Sequence, residues 1–505
     1  MKPFKKTIRI LIFLPILVTA GCNQSDNEKE TVPSITPESL GISSQSILSF
    51  IDAVEKERKD ELHSFMLLRY GEIAAKGWWA PYNPESPHML YSLSKSFAST
   101  AIGIAQEEGL LSIDDPVISF FPDETPENPS NNLKAMRIRD LLKMNTGHNE
   151  DATGRMQKEG ESWVKGFLNL PVEHKPGTHF VYNSAATFML SAIIQKVTAG
   201  TLLQYLTPRL FKPLGITNPT WESNMNGINM GGWGLKIRTQ DIANFGQLYL
   251  QEGQWNGEQL IPAKWVREAT SFQTSNGSNP ESDWEQGYGY QFWRCRHNLY
   301  RGDGAFGQYC IVMPEQDAVV AITSGTNDMQ AILNLVWDHL FPAMKSEPLE
   351  ENETAYSALR DKMETLSLSV IEGDMTSALA ASLSGTSFIM EPNNEGFKNL
   401  SFNLMGDGKT ITFTRGDGNY TVPVGSGTMK NGTFPVLQFG GQAISTTGAW
   451  ISEDTFQMRT YLYETPYYFD THFTFDRDKV SVDRTMNVSF GQGGLPPLKG
   501  IRKTD

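Results

Sequence analysis

A chain of 505 residues, 39% of them hydrophobic and including 27 Phe and 11 Trp, has the material for two packed cores and is not a disordered polymer. Lys and Arg number 43 against 57 Asp and Glu, a net charge of −14. No nucleic-acid partner is expected, because no basic surface is available to replace the counterions of a phosphate backbone.

The first segments concern destination. The basic stretch MKPFKKTIR precedes the apolar run ILIFLPILV, which is too short to span a bilayer as a helix and suits a signal-peptide core. TAGC and the polar NQSDNEKE follow, a pattern that resembles a bacterial lipoprotein signal, with Thr19 a less usual residue before the cleavage point. That resemblance implies a signal peptide over residues 1–21, lipid on Cys22, and a membrane-anchored protein outside the cytoplasm. An ordinary secretory signal with an incidental Cys, giving a secreted protein, is the alternative. Residues 22–37 are polar and read as a tether.

Further along, Ile47, Phe50, Ile51 and Val54 recur on one face and predict a helix from Ser44 to about Lys56. HSFMLLRYGEIAAKGWWA reads as two strands about Tyr70-Gly71-Glu72, and a helical pattern returns from Ser92 to Glu108. Helices and loops fill the middle to about Asn244. Strand-like segments follow at 288–294, 308–313 and 318–324, then an apolar helix ending near Leu340. A first domain is thus expected over 38–345 and a helical linker over 346–369. From 370 to 505, TITFTRGDGNYTVPVG, FQMRTYLYE and THFTFDRDKVSVD alternate apolar and polar residues between regular turns, the pattern of an all-β barrel or sandwich.

After Cys22 the chain has only Cys295 and Cys310. An oxidising compartment would permit a disulfide between them, and buried free thiols are the simpler reading. There is no CxxC or HExxH, and His88, His148, His174 and His179 form no ligand-like spacing, so no metal and no cofactor is expected.

Chemistry enters with Ser-x-x-Lys, which occurs as SLSK at 92–95 and SWVK at 162–165. At a helix start the two side chains share a face, the helix N-terminus favours negative charge near the serine, and a desolvated lysine can take the serine proton. Ser92 opens a long amphipathic helix. Ser162 lies in ESWVKGFLNLP, which Gly166 weakens and Pro171 ends, and reads as a surface residue. GxSxG is absent, which argues against an α/β-hydrolase elbow.

HMLYSLSKSFASTAIGIAQEEGLLSIDDPV resembles the nucleophile region of the serine β-lactamase and penicillin-binding-protein superfamily. The branch it is most similar to is class C-like and also holds esterases, D-aminopeptidases and amide hydrolases. IRDLLKMNTGH, KPGTHFVYNSAATFMLSAII, FKPLGIT and GGWGLKIRTQDIANFGQLYLQEGQWNGEQLIPAKWV agree in order, so the resemblance spans about residues 36–345. It implies an α+β catalytic domain, an antiparallel sheet flanked by helices beside a helical lobe. It also implies Ser92 as nucleophile, Lys95 as its partner and Tyr182 as the first residue of the family's Tyr-x-Asn motif. A phenol beside Lys⁺ would have its phenolate favoured and could act as general base. Ser184 stands where the family has Asn, with Asn183 beside it, and both are candidates for positioning substrate.

The family's third motif is Lys-Thr-Gly or His-x-Gly, and here its slot holds RGDGAFG at 301–307. Read with Gly302-Asp303-Gly304 as the triplet, the N–H of Ala305 would join that of Ser92 as an oxyanion hole. Slipped by one, Arg301 takes the cationic position and Gly304 becomes the donor. The same tetrapeptide RGDG recurs at 415–418, where Asp-Gly between two alternating runs signals a hairpin. The expected activity is hydrolysis of an amide or ester through a Ser92 acyl-enzyme, on a small-molecule or short-peptide acyl substrate. One alternative is a β-lactamase or D-alanyl peptidase acting on cell-wall-related substrates. Another is a non-catalytic surface binding protein on the same fold. Oligomeric state is open.

Overall fold

The computed structural model describes residues 35–157, 162–436 and 440–503. The signal-like stretch, Cys22 and most of the tether lie outside the described residues.

Helix α1 (Ser44–Glu57) buries Ile47, Phe50, Ile51 and Val54 on one face, as the spacing predicts. Six strands form one antiparallel sheet: β1 (Leu62–Arg69), β2 (Glu72–Trp78), β3 (Trp293–Arg294), β4 (Tyr300–Gly304), β5 (Gln308–Met313) and β6 (Ala318–Ser324), in the order β2-β1-β6-β5-β4-β3. β1, β4, β5 and β6 are buried along their whole length, because helices cover both faces of the sheet. On one side α2 (Ser94–Glu107), α3 (Ser184–Thr198) and α4 (Thr239–Leu250) pack Phe97, Phe188 and Phe245 with Met66, Val312 and Val319 of the sheet. On the other, α1, α5 (Met329–Leu335) and α6 (Glu353–Thr365) close over Phe65, Leu67, Ile311 and Val320. Strands covered on both faces read as near-continuous apolar runs, and MLL and CIVM do so.

The segment 288–294 departs from its expected strand: only Trp293–Arg294 joins the sheet. Gln291 takes φ +65°, and its side chain donates to the Leu141 and Leu142 carbonyls at 3.1 and 2.7 Å while accepting from Thr187 at 2.7 Å. The chain bends there to plug the helical lobe instead of pairing. Cys295 and Cys310 are free and buried, one in the core on each side of the sheet, so the simpler reading holds and no disulfide joins them.

Ten antiparallel strands from Thr386 to Arg502 make a nearly closed barrel. Its interior is filled by Phe388, Phe402, Phe456, Phe473, Phe475 and Trp450. The seam between Gly418–Pro423 and Lys430–Val436 is bridged by the Phe413–Phe434 ring pair and by Arg415, which donates to the Pro435 carbonyl at 3.2 Å. The described chain forms one compact unit, and barrel loops lie directly on the sheet domain. Met89 N–H donates to Glu464 O at 2.9 Å, Tyr82 Oη to Thr465 O at 2.9 Å, and Asn327 Nδ2 to Asn487 O at 3.0 Å.

Candidate active site

Ser92 sits in a single 3₁₀ turn, Tyr91–Leu93, from which α2 continues. The residue before it, Tyr91, has φ +47°, a conformation that non-glycine residues rarely adopt and that requires support from its surroundings. A short pairing of His88–Met89 with Leu235–Ile237 fixes the lead-in, and Ser94 Oγ accepts from Leu235 N–H at 3.2 Å. Ser96 and Ser99 donate to the carbonyls of Gln291 and Tyr290 at 2.8 and 2.7 Å, tying the next turn of α2 to the bent segment.

Lys95 is 1% exposed, and its Nζ lies 2.9 Å from Ser92 Oγ, 3.0 Å from Ser184 Oγ and 2.8 Å from Gly232 O. Burial brings the Lys95 ammonium down to about 7, against a smaller upward pull from Asp151 and Asp303. At neutral pH a large fraction of this amine is therefore unprotonated. Its Nζ also stands 4.9 Å from the centre of the Tyr182 ring. Ser184, the departure from the family's Asn, is thus in the cluster and takes one of the three lysine contacts. Gly232 O was not singled out in the sequence; the GGW turn that places it is the signal that could have found it.

Tyr182 corrects the phenolate expectation. Burial and the Asp303 carboxylate push its hydroxyl far above the ordinary phenol value, and a hydrogen bond with Ser92 only partly opposes them. These influences favour the protonated phenol, whose ring is stacked on Trp293 at 5.2 Å and 21° with Tyr288 set edge-on to both. Asn183 is not among the groups facing Ser92. It is the N-cap of α3, its Oδ1 accepting from Ala185 and Ala152 N–H at 3.1 and 3.2 Å. Ser162 caps the helix Trp163–Leu168, in line with its surface reading. His88 is paired with His63 at 3.1 Å in a buried layer under Tyr82, away from the Lys95 cluster, and burial takes it down to about 3.

In the third segment, Arg301 and Asp303 are two residues apart on β4, hence on one side of it, and pair at 2.9 Å with 0% and 6% exposure. Arg301 also donates to Asp283 O at 2.8 Å and lies 4.5 Å over the Trp284 ring, so it offers no free cation to a substrate. Asp303 holds the Trp293 indole, and burial keeps its carboxyl above the ordinary value despite the pull of Arg301. The glycines face the Ser92 turn and the start of α2. A Cβ on Gly302 would lie 2.5 Å from Leu93 Cδ1 and 2.6 Å from Ser96 Oγ, and one on Gly304 would lie 2.0 Å from Leu90 O and 3.1 Å from Ser92 N. β4 therefore runs against the Ser92 turn as only glycine allows. Ala305 follows in the turn closed by Gly307 N–H on Gly304 O at 3.1 Å, and its own N–H has no protein acceptor among the described residues. By this geometry Gly304 lies against the Ser92 turn and Ala305 follows it in the chain, so both stay candidate donors. Among the described residues no group of acidic, His and Cys side chains could hold a metal ion.

The family model described as Beta-lactamase matches residues 53–337, more than half the chain. The chain is 25% identical over 295 residues to a 6-aminohexanoate-dimer hydrolase of Paenarthrobacter ureafaciens, covering 52% of this chain and 73% of that protein. It is 27% identical over 145 residues to the protein flp of Staphylococcus aureus (strain MW2), covering 28% of this chain and 29% of that one. In fold it is similar to EstCE1, a hydrolase with promiscuous acyltransferase activity, at 16% identity and TM-score 0.51, over 59% of this chain and 99% of that one. This chain belongs to the beta-lactamase family, within the superfamily of serine β-lactamases and penicillin-binding proteins.

Proposed function

We propose that this protein is a serine hydrolase that cleaves an amide or ester of a small or short-peptide acyl substrate through an acyl-enzyme on Ser92. The observation that carries the reading is the amine of Lys95, desolvated to a pKa of about 7 and 2.9 Å from Ser92 Oγ. In its neutral form it takes the Ser92 proton as Oγ bonds to the substrate carbonyl carbon. The oxyanion then lies between the N–H groups of Ser92 and Ala305. Collapse breaks the bond to nitrogen or oxygen, and the proton passes from Lys95 through the Tyr182 phenol to the leaving group. Water attacks the ester by the same route in reverse, releasing the acid and restoring Ser92. The similarity to a protein named 6-aminohexanoate-dimer hydrolase, and in fold to a hydrolase with promiscuous acyltransferase activity, supports this class.

The third segment supports a substrate other than a β-lactam. Where the family keeps a cation that helps hold a substrate carboxylate, this chain presents Gly302 and the Asp303 carboxylate, whose own counter-ion, Arg301, is already occupied. With Arg301 and Asp303 neutralising each other, no uncompensated cation is left there to attract an anionic substrate group. We further propose a lipid anchor at Cys22 and a site of action outside the cytoplasm, on the strength of the MKPFKKTIR…TAGC stretch.

The test is covalent labelling of intact protein with a fluorophosphonate probe. Wild type is expected to label at Ser92 and Ser92→Ala to remain unlabelled, while Tyr182→Phe hydrolyses p-nitrophenyl esters about 10²–10⁴-fold more slowly. Equal labelling of wild type and Ser92→Ala would sink the reading.

A further inference from the structure

We infer that the barrel supplies one wall of the substrate site, an aromatic rim of Phe490 with Tyr91, Phe306 and Tyr467 that receives an apolar acyl group beside the Ala305 amide. The inference rests on the acyl-enzyme reading above and adds to it a substrate class and a role for the barrel.

Three observations converge on it. Tyr91, the strained residue directly before Ser92, has its hydroxyl hydrogen-bonded to that of Tyr467, so a barrel residue braces the nucleophile turn. Phe306, directly after Ala305, is buried against Tyr467 and Val488 of the barrel, with Ala305 and Met486 packed on the same cluster. Phe490 completes the group, its ring 5.5 Å from that of Tyr91 and 4.8 Å from that of Phe306, yet it is 76% exposed. A single exposed Phe is ordinary. This one extends a buried aromatic cluster at the one place where the cluster borders both Ser92 and the proposed oxyanion donor.

The loop that carries Phe490 is held in place. Asn487 at its base accepts from Tyr468 N–H at 2.8 Å, donates to Pro466 O at 2.9 Å and to Gly325 O at 3.3 Å, and so links barrel to sheet. The rim also lies apart from the proton-transfer side of the site. The rings around Tyr182 are Trp293 and Tyr288, those around Tyr91 are Phe306, Tyr467 and Phe490, and the two groups share no member. A leaving group must reach Lys95 and Tyr182 for its proton. The rim is then left for the acyl part, and an aromatic, uncharged surface selects an alkyl or aryl chain.

The experiment compares kcat/KM for p-nitrophenyl acetate, butyrate, hexanoate and octanoate, so that only the acyl chain varies, in wild type, Phe490→Ala, Phe490→Leu and Ser92→Ala. Wild type is expected to prefer longer chains. Phe490→Ala should lower the octanoate-to-acetate ratio about tenfold, and Phe490→Leu should restore most of it. An unchanged ratio in Phe490→Ala, or a uniform rise or fall for all four esters, overturns the rim as an acyl wall while leaving the Ser92 chemistry standing. Turnover that survives Ser92→Ala overturns the acyl-enzyme reading, and the rim falls with it.

Discussion

The tetrapeptide Arg-Gly-Asp-Gly occurs twice in this molecule, and its two copies do different things. At 301–304 it is a buried strand, with arginine and aspartate on one side paired at 2.9 Å and both glycines pressed against the Ser92 turn and the start of α2. At 415–418 it is the tip of a hairpin, Arg415 pairing with Gly418 across Gly416 and Asp417. There Arg415 reaches over Phe397 at 4.7 Å and to the Pro435 carbonyl, bridging the barrel seam, and Asp417 stays exposed. Four identical letters thus yield a buried ion pair beside the candidate site and a solvent-facing turn. What decides is the setting: the first copy lies inside a strand buried along its whole length, and the second lies where an alternating strand turns back.

The sharpest way to break this contrast is at the glycines. Gly304→Ala puts a methyl 2.0 Å from the Leu90 carbonyl, which is backbone and cannot rotate away, so β4 must retreat from Ser92. A loss of at least about 10²-fold in ester hydrolysis is expected, the scale of a lost oxyanion donor. Gly416→Ala, in the second copy, meets nothing closer than Lys398 Nζ at 3.5 Å and should leave activity and stability within about 0.5 kcal/mol of wild type. The aspartates come next, read by urea unfolding. Asp303→Asn leaves the Arg301 charge buried without its partner and should cost about 3–5 kcal/mol, whereas Asp417→Asn at the exposed turn should be neutral within about 0.5 kcal/mol. Equal losses at the two sites would show that burial is not what separates them.

Much of this was legible from the chain itself, for reasons that differ by residue. Ser92 and Lys95 were readable because i, i+3 spacing at a helix start is local geometry. The helix at Ser44 was readable because one-sided burial leaves a period, and the two strands because the Tyr70-Gly71-Glu72 turn signal separates two strand-like runs. Three things were not. Asn183 looked like a substrate ligand because nothing in Y-N-S says which of two adjacent side chains will cap the helix. The phenolate reading of Tyr182 counted the Lys95 charge without the burial that pulls both groups toward their neutral forms, and without Asp303, which reaches the site from more than a hundred residues away. The Tyr91–Tyr467 contact joins residues 376 positions apart, and no local pattern encodes it.

The smallest expected effect separates the two aspartates by titration. If unprotonated Lys95 is the base, ester hydrolysis should rise with pH through about 7 and level off above it, since the active form is the neutral amine. Asp303 and Asp151 both raise the Lys95 value, because a nearby negative charge favours the ammonium. Removing either charge must therefore move the acid limb to lower pH, the direction opposite to a simple loss of function. Asp303→Asn acts twice in the same sense, because it also leaves the positive Arg301 uncompensated near the amine. Asp151→Asn is the cleaner probe, since its Oδ1 need only keep accepting from Thr153, which an amide oxygen can do. Asp417→Asn, with the same neighbours in sequence and none in the site, should leave the limb at about 7. A limb that stays in place in Asp151→Asn, or moves upward, would mean that the group titrating in catalysis is not Lys95, and the base would have to be sought elsewhere around Ser92.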